Sequence, residues 1–155
     1  MNSLLSFNEL IDAVHGKVVL SDFYKSTFGD LCNFTNVQTD SRNVCEKSLF
    51  VPLVGEFQDG HKYVAGAIES GASVVLINNS EYEKNPSVYD DLCRNKGVLI
   101  ICVENTLHGL QDAAEKYVSK FPNLTKISVT GSSGKTTTKE LLVSVFVSKF
   151  GDDVV

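Results

Sequence analysis

"ISVTGSSGKTTTKELL", residues 127–142, sets an apolar β-branched run, a glycine-serine turn, the triplet Gly134-Lys135-Thr136 and an apolar helical pattern in direct succession. That order is the form of a phosphate-binding loop between a strand and a helix. The glycines let backbone N–H groups turn inward around phosphate oxygens, and the helix aims its positive N-terminus at the same charge. Thr130, Gly131, Ser132, Ser133, Gly134, Lys135, Thr136 and Thr137 are the expected ATP-binding residues. Lys135 is the expected catalytic cation, reaching the β- and γ-phosphates, and Thr136 offers its hydroxyl to a magnesium ion that bridges them. Leu141, Leu142, Val145 and Phe146 would press the helix onto a sheet. The general pattern G-x-x-x-x-G-K-[ST] asks for glycine at position 129, where Val129 stands, and Gly131 supplies the earlier glycine instead. The plainer alternative is a glycine-serine turn with Lys135 solvated. The coincidence of strand, loop, G-K-T and apolar helix outweighs it. Alone, the loop indicates ATP or GTP and no particular reaction.

Working outward, 155 residues with 43% hydrophobic and 21% charged content fit one to one-and-a-half globular domains. A net charge of −5 leaves no global basic field, so a nucleotide must be held by local dipoles and a few cations, and nucleic acid is not an expected partner. Cys32, Cys45, Cys93 and Cys102 have no C-x-x-C spacing, and the three histidines are scattered, so neither a disulfide framework nor a zinc site is indicated. All four cysteines read as small core residues. The N-terminus has no basic region followed by an apolar run, and nothing approaches the ~18 apolar residues of a membrane span. A cytoplasmic monomer without membrane insertion is expected.

The pattern along the chain is α/β. Ser6-Phe7-Asn8-Glu9 has the form of a capping box, with Leu5 and Leu10 as a hydrophobic staple and Gly16 as the stop. Residues 17–55 read as several short strands broken by polar turns. "HKYVAGAIESGA" predicts a helix ending at Gly71, followed by the buried strand "SVVLIN". "NNSEYEKNPSVYDDLCRNK", residues 78–96, is polar without a strand period and reads as loop with one helical turn. "GVLIICV" predicts a strand, and Leu107, Leu110, Ala113, Ala114, Tyr117, Val118 and Phe121 recur at helical spacing over 106–120. "FPNLT", residues 121–125, is the boundary, dividing a domain at 1–122 from a second one at 123–155 that opens with the strand "KISVT".

The loop "VTGSSGKTT" resembles the ATP loop of the Mur ligase family of bacterial cell-wall synthesis, T-G-x-x-G-K-T/S. "TDSRNVCEKSLFVPLVGEFQDGHKYVAGAIESGASVVLI", residues 39–77, is similar to the amino-terminal domain of the same family, with T-D-S-R, L-F-V, G-E, D-G-H and G-A in order. The sequence departs from that pattern at Glu46-Lys47, where Pro-Gly is usual, and at Phe57-Gln58, where Arg-Phe is common. The resemblance implies a small αβ domain for the UDP end of a substrate, followed here by the first strand, phosphate loop and helix of a truncated ATP domain. The continuation "GSSGKTTTKE" is most similar to the member that adds D-alanyl-D-alanine to UDP-N-acetylmuramoyl-tripeptide. The sibling that adds the third amino acid is the alternative.

For the first domain the resemblance implies Ser41, Arg42, Gly60 and His61 as substrate-binding residues. From the residues alone, Arg42 reads as a surface-turn side chain paired with Asp40, and the resemblance reverses that preference. Gly60 reads as a tight-turn residue, and His61 either caps the following helix or lies near the sugar-nucleotide. His15 and His108 read as solvent-facing. The implied chemistry is amide formation through an acyl phosphate made from ATP with Mg2+. A non-catalytic UDP-sugar-binding module is a second reading, and an unrelated small ATPase or kinase a third. The chain is expected to be the amino-terminal part of a longer ligase, inactive alone.

Overall fold

Residues 74–77 and 98–103 are apolar at consecutive positions, the pattern of strands covered on both faces. In a computed structural model, which describes residues 3–151, these runs form the two longest strands of a five-stranded sheet. The strands are β1 (Lys17–Val18), β2 (Asn36–Gln38), β3 (Ser48–Phe50), β4 (Ala72–Asn78) and β5 (Leu99–Val103). They lie in the order β1-β5-β4-β3-β2. β2 to β5 are parallel, and β1 runs antiparallel to β5 with Lys17 opposite Cys102.

Strand alternation sorts the core into two layers. Val74, Leu76, Leu99 and Ile101 point to one side, where α1 (Phe7–Val14) and α6 (Thr106–Ser119) cover them with Phe7, Leu10, Val14 and Ala113. Val75, Ile77, Ile100 and Cys102 point to the other, against Val64, Ala67 and Ile68 of α3 (Val64–Glu69) and Tyr89 and Cys93 of α5 (Pro86–Lys96). The parallel strands step across the sheet in one direction. Right-handed crossovers therefore put α3 and α5 on a single face, and α1 and α6 close the opposite one.

α1 begins with both halves of the expected capping box: the Glu9 N–H donates to Ser6 Oγ at 3.3 Å and the Ser6 N–H to Glu9 Oε2 at 2.8 Å. Its stop is His15, which takes the left-handed conformation at φ 49°. Gly16 is required for space, because a Cβ there would collide with Ile101 Cγ2 and lie 3.1 Å from the Cys102 carbonyl oxygen.

Several expectations are corrected. Within 17–55, Ser21–Phe28 is a helix, α2, and not strand; Tyr24 and Phe28, four apart, meet with ring centroids 5.1 Å apart and give it a packed stripe. Most of residues 78–96 forms α4 (Asn79–Lys84) and α5, not a loop. Pro86 sits in the first turn of α5, Gly97 ends it left-handed, and only the stripe of Tyr89 and Cys93 is buried, so the composition stays polar. On α6 the buried face is Thr106, Gly109 and Ala113, while Leu107 and Ala114 are exposed. Gly109 lets the helix approach the sheet so closely that a Cβ would sit 3.3 Å from Leu76 Cδ1. Cys32, Cys93 and Cys102 are buried as expected, whereas Cys45 is exposed.

Contact density divides the chain between Pro122 and Asn123. In the second unit, 126–130 pairs with no strand among the described residues, because a strand exists only by hydrogen bonding to a neighbour. α7 (Lys135–Phe150) follows the loop, and none of its residues is buried. No helix among the described residues is long and apolar enough to cross a membrane.

Lys47, at the position where the family usually has glycine, holds φ 60°. The turn is pinned there, since Lys47 N–H donates to the Gly71 carbonyl at 3.0 Å and its own carbonyl accepts from Thr35 N–H at 2.9 Å. Left-handed backbone costs an L-residue about 1–2 kcal/mol, partly offset by the chain entropy glycine loses. Lys47→Gly should therefore stabilise the first unit by about 0.5–1 kcal/mol, read as a higher denaturant midpoint at unchanged slope. A lower midpoint would show that the lysine turn is unstrained.

Candidate functional site

In open α/β sheets, ligands collect beyond the carboxyl ends of the strands. Here those ends carry a cleft of about 480 Å³. Thr39, Asp40, Ser41 and Arg42, which continue directly from β2, form one wall, and Phe50, Leu53, Gly60 and Tyr63 form the other. Three of the four residues expected from the sequence, Ser41, Arg42 and Gly60, thus meet at one place. Gln58 also lines it.

The first wall is a short 3-10 turn, Ser41–Asn43, capped by Asp40. Asp40 Oδ1 accepts from the Arg42 backbone N–H at 3.0 Å. The same carboxylate is gripped by the Arg42 side chain: Nε donates to Oδ1 at 2.9 Å and Nη2 to Oδ2 at 2.6 Å. These hydrogen bonds, side chain first and backbone second, hold the Asp40 carboxyl down at about 2, and Asp40 in turn raises Arg42 further. With the folded value below the ordinary 3.8, the pair is intact at neutral pH and is lost as pH falls through about 2. The pairing read from the residues alone is therefore present. The Arg42 side chain is nonetheless 86% exposed, in the cleft wall.

The second wall uses the same device. Asp59 caps the 3-10 turn Gly60–Tyr63, its Oδ1 accepting from the His61 N–H at 2.9 Å and lying 2.6 Å from His61 Nδ1. Burial pushes the Asp59 carboxyl up, and the hydrogen bonds from His61 outweigh this and leave it low. The cap is Asp59, so His61 is not the capping residue; it is 5% exposed and lies behind the cleft wall. Its Nε2 accepts from the Asn78 N–H at 3.0 Å, which fixes the neutral ring with its proton on Nδ1. Gly60 also differs from expectation. Its need is close approach and not turn conformation: a Cβ would lie 2.8 and 2.9 Å from the Leu53 nitrogen and oxygen.

The sequence reading missed what braces this end of the sheet. Asn78, the last residue of β4, accepts on Oδ1 from the Thr106 N–H at 2.9 Å, and Thr106 Oγ1 donates to the Pro52 carbonyl at 2.6 Å. His61, Asn78, Thr106 and Pro52 together tie the ends of β3, β4 and β5. A polar residue closing the apolar run "SVVLIN" was the only available signal. Phe57, where the family commonly has arginine, is 94% exposed.

In the second unit, Gly131 (φ 154°) and Gly134 (φ 75°) hold backbone that favours glycine. Gly134 is the N-cap of α7 and no side chain caps the helix. The first-turn N–H groups, those of Lys135, Thr136 and Thr137, thus have no helical or capping partner, the arrangement a phosphate needs. Lys135 Nζ donates to the Gly131 carbonyl at 2.5 Å, spanning the loop. No group of three or more His, Cys, Asp and Glu among the described residues could hold a metal. The residue that would hold a Mg2+ ion in this loop is Thr136, through its hydroxyl, and the ion would supply charge neutralisation beside bound phosphates.

The profile described as "Mur ligase family, catalytic domain" matches residues 33–118, within the first unit. The UDP-N-acetylmuramoyl-tripeptide--D-alanyl-D-alanine ligase of Treponema pallidum is 40% identical over 147 residues, 95% of this chain and 30% of that protein. The UDP-N-acetylmuramoyl-L-alanyl-D-glutamate--2,6-diaminopimelate ligase of Clostridium tetani is 34% identical over 71% of this chain and 21% of that protein. A crystal structure of MurF from Acinetobacter baumannii covers 92% of this chain and 27% of its own at TM-score 0.68 and 26% identity. MurF from Thermotoga maritima in complex with ADP covers 74% of this chain at TM-score 0.50 and 29% identity. The chain thus spans less than a third of the length of these proteins.

His61→Leu should strand the partly buried Asn78 N–H and cost about 1–3 kcal/mol of stability. His108→Leu, at an exposed helical position, is the control. Equal unfolding midpoints for the two variants would mean that the His61 network contributes nothing.

Proposed function

The chain belongs to the Mur ligase family, and from that premise we propose that it supplies the UDP-substrate domain and the phosphate loop of an ATP-dependent ligase. That ligase adds D-alanyl-D-alanine to UDP-N-acetylmuramoyl-tripeptide in peptidoglycan precursor synthesis. The observation that carries this reading is the cleft in which Ser41, Arg42 and Gly60 meet at the strand ends. Arg42 suits a diphosphate through its forked donors. Residues 1–122 are assigned to the UDP-substrate and 123–155 to the start of the ATP domain, as part of a cytoplasmic monomer.

Thr130–Thr137 hold ATP, with Lys135 and the first-turn N–H groups on its phosphates. Magnesium, when bound at Thr136, supplies charge neutralisation between them. The chemistry follows from the substrates. A carboxylate is a poor electrophile, so its oxygen takes the γ-phosphoryl group and ADP leaves. The amine of D-alanyl-D-alanine then attacks the acyl carbon, the amide bond forms, and phosphate departs with the carboxylate oxygen. Lys135 serves the first step by offsetting the repulsion of two approaching anions.

The sibling activity, addition of the third amino acid, is the second reading, favoured by the similarity to the Clostridium tetani protein. Longer coverage and higher identity support the first. A UDP-sugar-binding module without catalysis is the third.

In a full-length ligase carrying this sequence, Lys135→Ala should abolish phosphate release and ligation while leaving UDP-N-acetylmuramoyl-tripeptide binding within about twofold, and Arg42→Ala should weaken that binding about tenfold or more. Calorimetry and product mass read both effects, and the mass also separates dipeptide from single-amino-acid addition. The 155-residue chain alone should bind the UDP-substrate and form no amide; turnover by it at an enzyme-like rate would overturn the division of labour.

A further inference from the structure

Arg42 has two readings so far, a surface-turn partner of Asp40 and a contact for the nucleotide phosphates. The geometry makes them compatible. A guanidinium carries five N–H donors on a rigid plane. Asp40 engages one edge, Nε with one N–H of Nη2. The far edge, both N–H groups of Nη1 and the second of Nη2, donates to nothing among the described residues, and the side chain is 86% exposed in the cleft wall. Asp40 is itself immobilised, because Oδ1 also accepts from the Arg42 backbone N–H at 3.0 Å. The carboxylate is thus tied to the backbone of the very residue whose side chain it orients.

We propose that Asp40 is a positioning residue, which fixes the guanidinium of Arg42 so that its free edge, Nη1 with the second N–H of Nη2, takes a phosphate of the UDP-substrate while the Asp40 pair stays intact. The inference rests on the proposed substrate of the cleft. Preorganisation of this kind spares a long side chain the ordering it would otherwise undergo on binding.

The sign of one substitution separates this from simple charge. Removing a carboxylate beside an anion site tightens anion binding if only Coulomb attraction matters. If Asp40 positions Arg42, Asp40→Asn weakens it, although the asparagine oxygen still caps the turn. The test is a titration of the 155-residue chain with UDP and, separately, with uridine, which has no phosphate. Asp40→Asn is expected to raise the UDP dissociation constant about five- to tenfold and to leave uridine within about twofold. Arg42→Ala with Asp40→Asn should be no weaker than Arg42→Ala alone, since residues acting as a unit are not additive. Arg42→Lys, which keeps the charge without a second edge, should lose UDP affinity as Asp40→Asn does and guards against misfolding of the latter. Unchanged or tighter UDP binding by Asp40→Asn, with Arg42→Ala still impaired, overturns the inference and leaves the substrate reading standing. Wild-type affinity in Arg42→Lys also overturns it. Unchanged binding by Arg42→Ala overturns both.

Discussion

The first unit depends on the two-sided burial of β4 and β5. Val75, Leu76, Ile77, Ile100 and Ile101 are all fully buried, so neither face of this pair can meet water, and two helical layers must be recruited. Because β2 to β5 advance in one direction across the sheet, the crossover helices occupy one face only. α1 and α6 come from the two ends of the unit to cover the other, joined by Lys120, whose Nζ reaches Glu9 Oε2 at 3.2 Å. The parallel arrangement also sends the carboxyl ends of β2 to β5 the same way, and the polar turns gather there.

Those turns solve a backbone problem first. Asp40 and Asp59 each satisfy N–H groups that a short turn leaves without partners. Identical caps then have opposite consequences. In Ser41–Asn43 the residue two beyond the aspartate is Arg42, which projects into solvent; in Gly60–Tyr63 it is His61, which turns inward to Asn78. One wall of the cleft is chemically available, and the other is built to be rigid.

A chain of net charge −5 must hold anionic ligands by local means. The two cations proposed for this are each held by an oxygen of their own turn: Arg42 by the Asp40 carboxylate and Lys135 by the Gly131 carbonyl. Such contacts cost little to rearrange at an exposed site, yet they narrow the orientations from which a charged group meets its ligand.

The sequence by itself determined the α/β class, the capping box of α1, the two central strands and the phosphate-loop pattern, because these reside in local spacing and side-chain chemistry; the grouping of T-D-S-R with D-G-H was implied by the family resemblance alone. It did not reveal α2 or α5, whose apolar stripes are one or two residues wide and acquire meaning only against the sheet. It read 126–130 as strand, although a strand needs a partner that local pattern cannot supply. Only the tertiary structure decided that Gly16 and Gly60 serve close approach, that Lys47 takes a left-handed turn, that His61 is buried, and that Arg42 keeps an edge free while paired. Each of these is set by which atoms lie opposite across the fold, and residues 40 and 60 become neighbours at one cleft only after β3 has been laid between the turns they start.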